Sequence, residues 1–320
     1  MTLPLCISLK IRLHPFAFKS LIPLIFTMFL VSACATTSQP LNFQPVRTTG
    51  LQDAAKDEES KLENLAYQEL LVRGNQYLST GNTSLALLHF QMALKKQADS
   101  AAAHAGLGET LALNGDNKAA HNFLDKALLI DSQHRQALIA TGKLYRAERN
   151  YEQAEIAFNR ARVIYPADPE ILTELAITYG RMGQEDQAQS LLIQVVALKP
   201  RDASAYNNLG FNYLLQNNYA EAIRTLQEAS AIELTPRIQR NLAVAYAMDT
   251  QPQKAFKLFR KTGSEATAYN DLGYIYMIMG MQDPARVSFI KALELYPRHY
   301  VRAKENLNLL DMNSELKTDM

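Results

Sequence analysis

"AYNNLGFNYLLQNNYAEAIRTLQEA" (Ala205–Ala229) carries four marks at fixed offsets. A small residue, Gly210, is followed three positions on by an aromatic, Tyr213. Ala222 stands twelve after the glycine, and Leu226 four further on. Both halves space their apolar residues by three and four, as one face of a helix requires. The stretch reads as two antiparallel helices whose small residues sit where the helices cross closely. The same marks recur along the chain. The small residue returns as Gly74, Gly108, Gly142, Ala176, Gly210, Ala243 and Gly273, with steps of 34 residues four times, then 33, then 30. Tyr77, Leu111, Tyr145, Tyr179, Tyr213, Tyr246 and Tyr276 keep the second place. Phe90, Leu124, Phe158, Leu192, Leu226, Phe259 and Phe289 keep the fourth.

Seven copies at this period resemble the tetratricopeptide repeat (TPR), and the resemblance covers residues 67 to about 300. "AYNDLGYIYMIMGMQDPARVSFIKALELYP" (Ala268–Pro297) is a second close copy. The residue opening each first helix is never Trp, and is Tyr only at Tyr206 and Tyr269. The expected fold is all-α: a superhelix of about seven helix pairs, since one pair cannot bury its apolar face alone and neighbours must stack. Gly81, Gly115, Gly183 and Gly280 fall at the turn within a pair. Pro166, Pro200 and Pro297 close second helices. The short sixth copy predicts a local kink. A capping helix is expected at about Tyr300–Leu310, within a TPR domain of residues 62–310, with residues 311–320 as a frayed tail.

The first forty residues decide where the chain is expected to reside. Lys10, Arg12 and Lys19 precede "LIPLIFTMFLV" (Leu21–Val31), an apolar run too short to span a bilayer. "VSAC" (Val31–Cys34) resembles a bacterial lipobox, which implies cleavage before Cys34 and its lipidation. Several acyl chains on one residue give stable anchoring. Ala35, rather than Asp, implies sorting to the outer membrane, with the body in the periplasm. Residues 1–33 are then a signal peptide. Residues 34–61, polar and ending in "KDEESK", are a flexible tether that spans roughly 30 Å as a random coil. The other cysteine, Cys6, leaves with the signal, so the core must hold the domain without a disulfide. Net charge falls from +1 to about −2, which excludes the basic excess of a nucleic-acid binder.

Catalytic patterns are absent. "GLGET" (Gly106–Thr110) lacks the third glycine of a dinucleotide fingerprint, and the repeat already accounts for Gly108. His89, His104, His121 and His134 have spacings that match no metal motif. No enzyme activity, cofactor or metal is expected.

A groove along the first helices is what the fold offers. The repeat register places Gln68, Asn75, Glu109, Gln136, Lys143, Arg146 and Glu170 in its early part. Asn207, Phe211, Leu214, Arg240, Val244, Asn270, Tyr274 and Met277 fall in its later part. Apolar side chains beside amides suit an extended peptide or an amphipathic helix. The alternative is that these side chains pack on neighbouring helices or on the capping helix. Lys143, Arg146, Arg237 and Arg240 offer charge to an acidic partner. "QRNLAVAYAMDTQPQKAF", "AYNDLGYIYMIMGM" and "RHYVRAKENLNLL" resemble TadD, the lipoprotein family of tight-adherence (Flp) pilus assembly. That resemblance implies protein partners such as a secretin. A type IV pilotin-like lipoprotein, or an NlpI-like adaptor for murein hydrolases and proteases, has the same architecture. Homodimerisation through terminal copies stays open.

Overall fold

A computed structural model describes residues 64–296 and 301–318. The signal segment, Cys34, the tether at 34–61 and Pro297 lie outside the described residues. Fifteen helices and no strand occur among the described residues, and none is long and apolar enough to cross a membrane. The first helices of the seven pairs are α1 (Tyr67–Ser79), α3 (Ala101–Leu113), α5 (Arg135–Ala147), α7 (Pro169–Met182), α9 (Ala203–Leu215), α11 (Pro236–Met248) and α13 (Glu265–Ile278). Their partners are α2 (Thr83–Lys96), α4 (Asn117–Ile130), α6 (Tyr151–Ile164), α8 (Glu185–Leu198), α10 (Tyr219–Ile232), α12 (Pro252–Thr262) and α14 (Gln282–Leu295). The chain ends in α15 (Val301–Thr318).

The repeat marks have a direct steric meaning. A Cβ on Gly142 would lie 2.6 Å from the Phe158 ring, and one on Gly210 would lie 2.6 Å from Leu226. The missing side chain is therefore the room into which the large residue of the second helix fits, and Phe90, Phe158 and Phe289 are completely buried there. Each pair turns in one way. The residue after the turn donates its N–H to the carbonyl of the aromatic-position residue, from Asn82 to Tyr77 at 2.8 Å through to Met281 to Tyr276 at 2.8 Å. This closes the first helix as a Schellman motif, with one left-handed residue before the donor. Four copies use glycine, at Gly81, Gly115, Gly183 and Gly280, as expected. The other three use Arg149, Asn217 and Thr250, at φ of 62°, 59° and 58°. Side chains then start the next helices. Asn82, Asp116, Asn150 and Asn218 accept from backbone N–H groups at the second helices, and Ser100, Asp168, Asp202, Thr235 and Ser264 at the first.

Packing couples each pair to its neighbours, and successive first helices also touch one another. First helices therefore line the inside of the curve, while second helices stand further apart on the outside. The shortening of the sixth copy falls on α12, 11 residues against 14 in its counterparts, and on the brief link through Gly263 and Ser264. The capping helix is present and longer than expected. α15 packs on α13 and α14 as the first helix of an eighth copy would, with Leu310 against Phe289 and Ala285. It continues to Thr318, through most of the segment expected to fray. Residues 298–320 hold no Gly or Pro to stop it.

Candidate interaction groove

The inner face is built from the first helices, and its two halves differ. In the early half, charged side chains are tied to each other across consecutive helices. Gln136 donates to Glu109 at 2.6 Å. Arg135 bridges Asp168 at 2.5 Å and Glu170 at 2.8 Å, Lys143 bridges Glu170 at 3.0 Å, and Arg146 pairs with Glu174 at 2.5 Å. Burial alone lowers the ammonium affinity of Lys143 for its proton, but Glu174 and Glu170 outweigh it and raise the pKa. Glu170 is pushed up by burial and, more strongly, down by Lys143 and Arg135, so that its net shift is downward. Lys143 and Arg146 are consequently committed to the array and are not open charges for an acidic partner.

In the later half the predicted residues separate into two sets. Asn207 is buried, and its Oδ1 accepts from Asn241 Nδ2 of the next first helix at 2.8 Å. Asn270 is buried likewise. Its Oδ1 accepts from Asn306 Nδ2 of α15 at 3.0 Å, and its Nδ2 donates to Asp271 at 3.3 Å. Leu214 is a core residue packed with Ala222, Leu226 and Leu242. Met277 leans on the cluster to which α15 contributes Leu310. Asn207 and Asn270 stitch consecutive first helices together, because a buried amide requires a partner and the next helix supplies it, while Leu214 and Met277 are taken up by packing. Arg240 is half-buried with an Nε that has no hydrogen-bond partner among the described residues. It lies close enough to Asp271 to pull that carboxyl's pKa down, although burial, the dominant influence, still leaves it raised.

Phe211, Val244 and Tyr274 form the second set. They occupy one position, directly after the small residue of the crossing, on three successive first helices. Phe211 and Val244 are partly buried, each packed at its base against the core, and Tyr274 is 39% exposed. Ile177, at the same position of α7, is 37% exposed and extends the row to four. Sequence reasoning missed Ile177; the repeat register alone identifies it. Upstream the same position holds Asn75, Glu109 and Lys143, so the row changes from polar to apolar at the fourth copy. The four histidines do not converge, and no group of three or more potential metal ligands occurs among the described residues.

Three family descriptions match the chain: the cilia and flagella-associated protein 70 middle TPR-like domain over residues 70–199, and tetratricopeptide repeats over residues 168–232 and 266–299. Human protein O-mannosyl-transferase TMTC1 is 26% identical over 185 residues, 55% of this chain and 21% of that protein. Type IV pilus assembly protein PilF of Pseudomonas aeruginosa is 29% identical over 131 residues, 40% of this chain and 52% of PilF. The chain thus spans between a fifth and about half of these relatives. A tetratricopeptide repeat protein from Parabacteroides merdae superposes with a TM-score of 0.55 at 19% identity, over 76% of this chain and 98% of that one, which is a likeness of fold. Repeat marks, stacked pairs and matched repeats agree: this chain carries tetratricopeptide repeats and folds as their all-helical superhelix.

Proposed function

We propose that the chain is a lipid-anchored scaffold of pilus assembly that holds a protein partner along its inner face. The observation that carries this reading is the row Ile177, Phe211, Val244 and Tyr274. It is an apolar strip on the concave side of a stack in which Lys143, Arg146, Asn207 and Asn270 are already paired with groups of the chain itself. Apolar anchors with little exposed charge suit an extended or helical segment of another protein. The similarity to PilF supports a pilus setting and favours the type IV reading over the tight-adherence one. The "VSAC" lipobox supports attachment through Cys34 to the outer membrane, with the body in the periplasm and a secretin or another assembly component as partner. The repeat scaffold itself is non-enzymatic in kind, and the transferase name of TMTC1 belongs to a protein of which this chain matches a fifth.

The test is a mild-crosslink pull-down of the tagged chain from outer membranes, read by mass spectrometry. Pilus-assembly components should be recovered with the parent and lost with Phe211→Ala/Tyr274→Ala. Recovery of murein hydrolases or a periplasmic protease would assign the scaffold to cell-wall control instead. Undiminished recovery with the double variant would remove the groove from the reading.

A further inference from the structure

The outer face carries a cleft that the groove does not explain. It lies between second helices α10 and α12, floored by α11, and has a volume of about 440 Å³. Leu242, Leu258 and Ala231 give it an apolar wall, with Tyr246, Gln227 and Ser230 beside them. Lys254, Lys257 and Lys261 stand along one edge.

The charge of α12 is unusual. "PQKAFKLFRKT" has four cations and no acidic residue, while the chain as a whole is nearly balanced. None of Lys254, Lys257, Arg260 and Lys261 makes an ion pair among the described residues. Cations near a helix C-terminus suit the helix dipole, which accounts for Arg260 and Lys261. Lys254 is the third residue of α12, where the dipole opposes a positive charge. It is held there by Gln251 Oε1 at 2.6 Å and by the Tyr246 ring, 5.1 Å from its Nζ. Gln227 Nε2 in turn donates to Tyr246 Oη at 2.8 Å and steadies the ring. The arrangement keeps Lys254 at the mouth of an apolar cleft against the local preference of the helix.

We propose that this cleft binds an acidic segment of a partner protein, with acidic and apolar residues in alternation. The three lysines span about 10 Å along the helix, at 1.5 Å per residue. In an extended chain every second residue recurs at about 6.6 Å, so two carboxylates reach adjacent lysines while the residues between them enter the cleft. A lone phosphate would leave the Leu242 and Leu258 wall unused. A bilayer surface would not enter a concavity between two helices. The site is separate from the inner row, so one partner can engage both faces or two partners can engage one each.

Fluorescence anisotropy of the full chain with a labelled octapeptide of alternating Glu and Leu tests the proposal. Binding should weaken about tenfold in Lys257→Glu/Lys261→Glu, which is about 1.4 kcal/mol. It should also weaken as salt rises from about 50 to about 500 mM. Tyr274→Ala, which lies outside the cluster of Leu242 and Leu258, should bind this peptide as the parent does, which separates the cleft from the groove. The milder Lys257→Gln/Lys261→Gln pair, checked by circular dichroism, should show the same direction of loss in a folded chain. Equal binding by parent and charge-reversed chain, or no binding by the parent, overturns the proposal. So does equal binding of a Glu/Ser peptide, displacement by inorganic phosphate at constant ionic strength, or binding to phosphatidylglycerol vesicles without binding to the peptide.

Discussion

Gly142 and Phe158 are sixteen residues apart in sequence, yet a single added Cβ on the first would sit 2.6 Å from the ring of the second. The neighbour is completely buried and has little space to retreat. Overpacking of this kind costs about 1–3 kcal/mol, against a helix-propensity gain of about 0.5–1 kcal/mol for Ala over Gly. Gly142→Ala should therefore lower stability by about 1–2 kcal/mol in urea unfolding. Adding Phe158→Leu should return part of the loss, since the fourth copy pairs Ala176 with Leu192. A neutral Gly142→Ala would show that the helices separate freely at the crossing.

Thr250 holds a left-handed turn at φ 58° with an exposed side chain. A β-branched residue is poorly suited to that region. Its cost there is about 1–2 kcal/mol, and glycine's greater freedom in the unfolded chain offsets about half of it. Thr250→Gly should raise stability by about 0.5–1 kcal/mol. The partner-binding profile of the chain should not change.

Asp271 is a partly buried carboxyl beside Asn270. Burial raises its pKa, so the folded state binds the proton more tightly than the unfolded state does. Its contribution favours the fold at acid pH and is lost as pH rises through the folded value. Asp271→Asn should therefore stabilise the chain at neutral pH, with the gain shrinking as the parent carboxyl becomes protonated. Thermal melts of both chains between pH 4 and 8 would show the curves converging on the acid side.

Asp168 has the opposite sign. Its hydrogen bonds with Arg135 hold its pKa below the ordinary carboxyl range, and its Oδ1 also accepts from Glu170 N at 2.9 Å and Ile171 N at 3.3 Å. The stability it contributes is present above the ordinary Asp value and is lost as pH falls through the lower folded one. Asp168→Ala should cost about 1–2 kcal/mol at pH 7 through the lost helix cap and ion pair. The difference from the parent should narrow below about pH 4.

The architecture was readable because every copy states the same steric rule, a small residue opposite a large one sixteen positions later. Turns without glycine were not, since Arg149 and Thr250 give no local sign that their backbone is left-handed. The shared row of Phe211, Val244 and Tyr274 was readable by register. Whether Asn207 and Asn270 face a ligand or the next helix depends on how tightly the stack winds, and no single repeat encodes that. Ile177 passed unnoticed because an isoleucine in a first helix looks like core. The cations of α12 reveal their common edge only when α10 and α11 close around them.

Among the described residues, close contacts between helices run within a pair and to the adjacent pair, and this sets an order in time. A copy can form as soon as its neighbour has emerged, without waiting for a distant part of the chain, and such local assembly is fast. A polypeptide that emerges from its N-terminus onward can therefore be clothed in structure copy by copy. The Asn270–Asn306 bond made by α15 is then among the last to close.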